Sequence, residues 1–214
     1  MGSLVFIASN KKIGMTRESV DTDTWAKPPL KERTRAPEQD PYLPFKVCDE
    51  SGVPPFLPIG GKVLVRQTSS THGEDGFITI DPVKIDSERR RLGDKILKGL
   101  GRFTFFDEQT ADGADTLLIT YGVTARAAAA TVKNLKAAGR PVSLLVLKTL
   151  WPVPERLISE KAEGYRRIVV VEMNLGQYVR EIKRVLSGKR VDFFGRMNGD
   201  LISPATIEGV IKNG

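Results

Sequence analysis

The sequence predicts an α/β fold: a doubly wound, mostly parallel sheet preceded by an extended proline-rich arm. Two observations carry this. From Asp115 onward, short continuous apolar runs alternate with amphipathic stretches of about 10–15 residues, the pattern of strands buried on both faces and joined by helices. Upstream, eight of the 13 prolines fall within residues 28–58. Each removes a backbone donor and biases its predecessor towards extended geometry, so a long helix is excluded there.

Taken in order, LVFIAS (4–9) reads as a short buried strand ended by the polar Asn10-Lys11-Lys12. Residues 17–81 form the arm. Its prolines (Pro28, Pro29, Pro37, Pro41, Pro44, Pro54, Pro55, Pro58) are punctuated by Trp25, Tyr42, Phe45 and Phe56. A disordered linker is poor in aromatics, so the arm is expected to drape over a surface, with a short strand at 62–67. A helix follows at 83–98, with a patchy stripe of Ile85, Leu92, Ile96 and Leu97. Gly93 weakens it, and Gly99 and Gly101 close it. Residues 102–106 read as a strand.

The alternation then predicts strands at 116–121, 143–148, 167–173 and 191–194, each followed by a helix, at 124–138, 154–163, 175–187 and 204–212. Thr124 is the expected cap of the first of these helices, whose buried stripe is Ala128, Val132 and Leu135, and Gly139 supplies its left-handed exit. In the third, Leu175, Tyr178, Val179, Ile182 and Leu186 form the stripe and Gly188 ends it. Ser203-Pro204 opens the last, an N-cap followed by proline in the first turn, with Ile207, Val210 and Ile211 turned to the sheet.

Composition excludes several classes. The 214 residues are 40% hydrophobic and 28% charged, as in a soluble globular protein, and no run reaches the roughly 18 apolar residues of a membrane helix. The start, Met1-Gly2-Ser3-Leu4, has neither a basic stretch nor a long apolar run, so no secretory leader is expected. The single Cys48 forms no internal disulfide, and there is no CxxC to hold zinc or an iron–sulfur cluster. A cytoplasmic chain with no metal of its own is the expectation. The net charge of +7 lies entirely in residues 115–214, with 16 basic against 9 acidic side chains. Solvated helix faces account for it; the other reading is attraction to an acidic protein, a phosphorylated ligand or nucleic acid. No aromatic-interleaved basic run or DNA-binding motif supports the last.

Chemistry is sought first in the loops at the carboxyl ends of the strands, where doubly wound sheets bind ligands. Tyr121-Gly122-Val123-Thr124 holds one glycine without GxGxxG, which is a tight turn before it is a nucleotide site. Gly99-Leu100-Gly101 precedes a strand rather than a helix, and no GxxxxGK[ST] occurs. Trp151, between a strand and Pro152 and Pro154, is either a subunit-interface anchor or a plug at the end of the core. The most particular loop is Glu172-Met173-Asn174-Leu175-Gly176-Gln177. It gathers a carboxylate, an amide and a glycine where a helix N-terminus presents free N–H groups. Either it recognises a ligand or another chain, or Glu172 only accepts hydrogen bonds from neighbouring loops. His72 lacks a partnering nucleophile or second histidine and reads as structural. Glu172, Asn174, Gly176, Gln177 and Trp151 are the candidate interface residues; spacing nominates no catalytic, cofactor-binding or metal-binding residue.

Four segments, in order, resemble the α subunit of 2-oxoacid:ferredoxin oxidoreductases of the 2-oxoglutarate and 2-oxoisovalerate types. They are Gly52-Val53-Pro54-Pro55-Phe56-Leu57-Pro58 with Thr71-His72-Gly73-Glu74 and Gly76; Leu117 to Gly122; Leu150-Trp151-Pro152-Val153-Pro154; and Val169 to Gln177. Gly199 to Pro204 is similar to that family's end. The resemblance implies three parts: a remnant of a pyrimidine-binding domain at 1–16, the arm at 17–81, and a transketolase C-terminal-like domain at 82–214. It also implies a complex that oxidatively decarboxylates a 2-oxoacid to an acyl-CoA and passes electrons to ferredoxin. In that complex the pyrimidine-binding domain holds the aminopyrimidine ring of thiamine diphosphate, a β subunit binds its diphosphate and Mg²⁺, and iron–sulfur clusters carry the electrons. This chain is then a structural and assembly part, inactive and cofactor-free by itself. Its partners would be the β subunit, a pyrimidine-binding domain and, through the complex, ferredoxin. Asn10 to Met15 departs from the family's form, and the diphosphate motif GDG…NN is absent. Two other readings are a free-standing small-molecule or nucleotide-binding α/β module, and a transketolase-like enzyme of other specificity; the VPPF and THGE segments argue against the latter.

Overall fold

A computed structural model describes residues 4–26 and 32–214; Met1 to Ser3 and the arm prolines Pro28 and Pro29 lie outside them. The chain divides into two compact units. One is built around Glu18–Gly101, the other by Arg102–Gly214 together with Ile7–Arg17.

In the first unit the arm folds on itself without regular strands. Residues 34–36 run parallel to Phe56, with Ala36 N donating to Phe56 O and Phe56 N to Thr34 O, both at 3.0 Å. The Tyr42 hydroxyl clamps the proline turn, donating to Pro55 O (2.9 Å) and accepting from Leu57 N (3.1 Å). Phe45 stacks on His72 with ring centroids 3.6 Å apart, which gives the lone histidine a packing role. Tyr42, Phe45 and Phe56 thus organise the arm's own interior, whereas Trp25 is exposed. The expected helix is α2, Pro82–Gly99, capped by Asp81 accepting from Val83 N and Lys84 N. It packs with the arm: Arg91 Nη1 donates to Gly52 O at 2.8 Å. The first compact unit therefore includes α2 and runs to Gly101.

Two expected strands do not form. Residues 4–9 form no strand and pair with no ladder among the described residues, and Leu4 to Ile7 are 83–92% exposed; a strand needs a neighbouring ladder to satisfy its backbone. Residues 62–67 are bend and irregular chain. The polar run after Ser9 is instead a short helix, α1 (Lys11–Met15), capped by Asn10, whose Oδ1 accepts from Ile13 N.

The second unit holds a five-stranded sheet: β1 (Phe106–Gln109), β2 (Thr116–Tyr121), β3 (Ser143–Leu147), β4 (Arg167–Glu172) and β5 (Arg190–Gly195), in the order β1-β3-β2-β4-β5. Only β1 is antiparallel, and it starts later than expected because Leu100–Arg102 winds as a 3₁₀ turn. The helices are α3 (Thr124–Ala137), α4 (Glu155–Ala162), α5 (Gln177–Val185) and α6 (Pro204–Lys212). Side chains alternate across each strand and fill two cores. Ile119, Leu145 and Val170 pack with Ile158 of α4 and Val179 and Ile182 of α5. Leu118, Leu144 and Val169 pack with Val132 and Leu135 of α3 and Ile207 and Ile211 of α6. Each such fully buried aliphatic side chain contributes about 1.5–3 kcal/mol.

Two boundary expectations are corrected. Thr124 does not cap α3; it is buried in the first turn, Val123 takes the cap position, and no side chain bonds there. Leu175 lies outside α5 and is exposed, because Gly176 turns the chain at φ 93° before the helix begins. Gly139, Gly188 and Ser203 end or open their helices as expected.

Candidate functional site

The helix after β2 covers one face of the sheet and the helix after β4 covers the other, so the chain changes winding direction between these adjacent strands. In doubly wound folds the crevice at such a point is the usual ligand site. Here side chains fill it. Thr120 pairs with Val171, which brings the next residues, Tyr121 and Glu172, side by side at the carboxyl ends of the strands. The Tyr121 hydroxyl donates to Glu172 Oε2 at 2.6 Å, and Asn174 Nδ2 donates to the same oxygen at 2.9 Å and to the Tyr121 hydroxyl at 2.6 Å.

Glu172 is only 1% exposed, and a buried carboxylate is tolerated only when its lone pairs are satisfied. The amides opening α5 complete the set: Tyr178 N reaches Oε2 at 3.2 Å and Val179 N reaches Oε1 at 3.1 Å. Asn174 Oδ1 accepts from Gly176 N (2.8 Å) and Gln177 N (3.0 Å). Two side chains therefore take four orphan donors of one helix, with the helix dipole favouring the negative charge. Burial first, and then the bond to Glu172, holds the Tyr121 phenol above its ordinary pKa. Burial, followed by the charges of Glu181 and Glu172, does the same for Tyr178.

The candidate interface residues thus separate. Glu172 and Gly176 are buried and fix the loop; Asn174 is half-buried and part of the same network; Gln177 is exposed. Trp151 is 74% exposed, so it does not plug the core of this unit. Around it, the carboxyl rim of the sheet carries further exposed apolar side chains: Phe105, Leu175, Met197 and Leu201. Tyr121 escaped the sequence reading. The signal was the equal position of Tyr121 and Glu172 at the ends of two strands that prove to be neighbours.

The site has no donor set for a metal or cluster. Among the described residues no three His, Cys, Asp or Glu side chains are grouped to hold an ion, and Cys48 is alone and exposed, whereas iron–sulfur clusters take four thiolates. The lone pairs of Glu172 are already committed to α5 and Tyr121. Nor is any helix of the described residues long and apolar enough to cross a membrane.

Sheet order, winding and the internally bonded switch point define a doubly wound α/β domain. Residues 114–207 match the family model of the pyruvate:ferredoxin oxidoreductase core domain II. The 2-oxoglutarate synthase subunit KorA of Methanothermobacter marburgensis is 32% identical over 209 residues, covering 95% of this chain and 54% of the relative. The ketoisovalerate oxidoreductase subunit VorB of Methanothermobacter thermautotrophicus is 40% identical over 98 residues, covering 45% of this chain and 28% of that protein. Among solved structures, a 2-oxoglutarate:ferredoxin oxidoreductase from Magnetococcus marinus superposes with a TM-score of 0.77 at 21% identity, covering 86% of this chain and 32% of the other; at that identity the likeness speaks for the fold. The chain is thus similar to part of the α subunits of 2-oxoacid:ferredoxin oxidoreductases, and it spans about half the length of the curated KorA relatives it matches.

Proposed function

We propose that this chain is the structural and assembly part of a 2-oxoacid:ferredoxin oxidoreductase α subunit. The complete enzyme would oxidatively decarboxylate a 2-oxoacid to its acyl-CoA and deliver the electrons to ferredoxin. The substrate class follows the relatives, which are named for 2-oxoglutarate and ketoisovalerate. Thiamine diphosphate, Mg²⁺ and iron–sulfur clusters would be supplied by the rest of the complex, in the cytoplasm, and no catalytic step is assigned to residues of this chain.

One observation carries the proposal. The crevice where this fold class binds ligands is closed by Tyr121, Glu172 and Asn174, while the rim around it leaves Trp151 and Leu175 largely in water. Large exposed apolar side chains on a rigid rim suit a protein interface. Glu172 then acts as a positioning residue: it fixes the loop that presents Leu175 and Gln177. The partners are a β subunit and a pyrimidine-binding domain. Co-expression with a β subunit of a 2-oxoacid:ferredoxin oxidoreductase from the same organism tests it. The expected result is a stable complex that Trp151→Asp or Leu175→Asp dissociates. Calorimetry of the chain alone with thiamine diphosphate and Mg²⁺ should show no appreciable heat of binding. Tight cofactor binding by the lone chain, or a complex indifferent to both substitutions, contradicts the assignment.

A further inference from the structure

Within the second unit, the carboxyl rim of the sheet gathers cations from separate stretches of the chain. α1 lies against the turn after β2: Asn10 Nδ2 stands 3.9 Å from where a Cβ on Gly122 would be. The exposed Lys11 and Lys12, next along the chain, therefore belong to this rim. The segment before β1 is tied to the end of β3, where Thr149 Oγ1 donates to Phe103 O and accepts from Phe105 N at 2.9 Å. The exposed Arg102 immediately precedes it. After β4, the exposed Arg180 follows Gln177 by one turn of α5 and shares its outward side. After β5, Arg196 donates to Leu201 O at 3.4 Å.

None of Lys11, Lys12, Arg102, Arg180 and Arg196 pairs with a carboxylate among the described residues. The acids at the same end of the sheet are engaged elsewhere. Asp107 holds Lys148 at 2.6 Å, and Glu155 and Glu181 both hold Arg184, at 2.7 and 2.8 Å. Glu172 is buried on the amides of α5, and Asp200 accepts from Asn198 Nδ2 at 2.9 Å. The cations stand beside the exposed apolar side chains of the rim: Arg102 near Phe105, Arg180 near Leu175, and Arg196 next to Met197 and bonded to Leu201. Apolar side chains to be covered, interspersed with unpaired charge of one sign, fit a protein partner whose own charge is of the other sign.

We infer that this rim receives an acidic protein surface: the β-subunit face that covers Trp151 and Leu175 carries Asp and Glu side chains opposite Lys11, Lys12, Arg102, Arg180 and Arg196. This rests on the assembly role proposed above and adds the chemistry of the partner's face. Exposed charge pairs contribute little to affinity, but their field reaches about a Debye length, ~10 Å at 0.1 M salt, and speeds encounter with a complementary surface. The apolar side chains then hold the complex, and the cations steer the partner and set its orientation.

The test is stopped-flow association of the full chain with a β subunit of a 2-oxoacid:ferredoxin oxidoreductase from the same organism, across a range of salt. From about 0.02 M to about 0.5 M salt the association rate should fall at least about tenfold, and the dissociation rate should change less than about threefold. At low salt the double variant Lys11→Glu, Lys12→Glu should associate about tenfold more slowly, and Arg180→Glu about threefold. The control is Lys133→Glu, Lys136→Glu, which changes the net charge equally on exposed positions towards the far end of α3; it should slow association less than about twofold. α1 buries no residue, so the Lys11, Lys12 variant stays informative if Arg180→Glu unfolds. A complex whose association ignores salt and the rim substitutions, or is slowed as much by the α3 control, overturns the inference and leaves the assembly role standing. A single-stranded oligonucleotide that displaces the β subunit would assign the cations to nucleic acid and overturn it as well. Absence of any complex removes the assembly role and the inference together.

Discussion

The hydroxyl of Tyr121, at the end of β2, donates a 2.6 Å hydrogen bond to the buried carboxylate of Glu172, at the end of β4. The two residues stand side by side across the strand pair at which the winding of the sheet reverses. With Asn174 they convert what is commonly a ligand crevice into an internally satisfied joint, and the same carboxylate caps α5 through the amides of Tyr178 and Val179.

Glu172→Ala should destabilise the second unit by roughly 3 kcal/mol or more, since it strands two helix amides and a phenol in a buried site. Tyr121→Phe removes one donor and should cost about 1–2 kcal/mol. Urea unfolding followed by circular dichroism measures both. A loss below about 0.5 kcal/mol for Glu172→Ala would show that the joint does not hold the loop.

Gly195→Ala should be among the most damaging single-methyl changes in the chain. A Cβ at Gly195 would run into the carbonyl of Asn174 and the ring of Phe193, and the first of these is backbone that cannot swing aside. Overpacking of this kind costs about 3 kcal/mol. The expected signs are a lowered unfolding midpoint and, because the Asn174 loop is displaced, altered amide shifts at Gly176 and Gln177.

Acid should weaken the second unit through Asp192. Burial works against its charge, but hydrogen bonds from Arg167 Nε at 2.6 Å and from Arg190 outweigh it and hold its pKa below the ordinary 3.8. A depressed folded pKa means a stabilisation present above the unfolded value and lost as pH falls through the lowered folded one. The stability gap between wild type and Asp192→Asn should therefore stay constant from pH 7 to about pH 5 and narrow below about pH 4. A gap that widens in acid would contradict the assignment. Arg167 also donates to the last carbonyls of α6 at Val210 and Ile211, so Arg167→Ala should cost more than Asp192→Asn.

Most of the α/β unit was legible because its signals are local. The runs TLLITY, SLLVL and RIVVVE announce buried strands, and Gly139, Gly188 and Ser203-Pro204 mark helix ends through backbone preferences of their own. Thr124 and Leu175 misled because the same residue types serve other ends: a threonine fits a cap or a buried first turn, and a leucine beside a helix fits its stripe or an exposed loop. The Tyr121–Glu172 joint could not be read directly, since it depends on which strands become neighbours. LVFIAS shows the complementary failure, where a strand pattern without a ladder among the described residues stays an exposed segment. The arm's aromatics predicted order but not that Tyr42 and Phe56 would pack it on itself.

Trp151 is exposed, so Trp151→Ala should change the stability of the isolated chain by less than about 0.5 kcal/mol. An unchanged unfolding midpoint in urea would agree with the exposed placement, and a large loss would return Trp151 to the core.

The emission of Trp151 offers the most direct measurement of whether the carboxyl rim is a subunit interface. In a Trp25→Phe background Trp151 is the sole tryptophan, and in the isolated chain it should emit as a water-exposed indole. Saturation with a tryptophan-free form of the cognate β subunit should shift that emission to the blue and shield it from iodide quenching. A complex that forms while the emission and quenching of Trp151 stay unchanged would contradict the account.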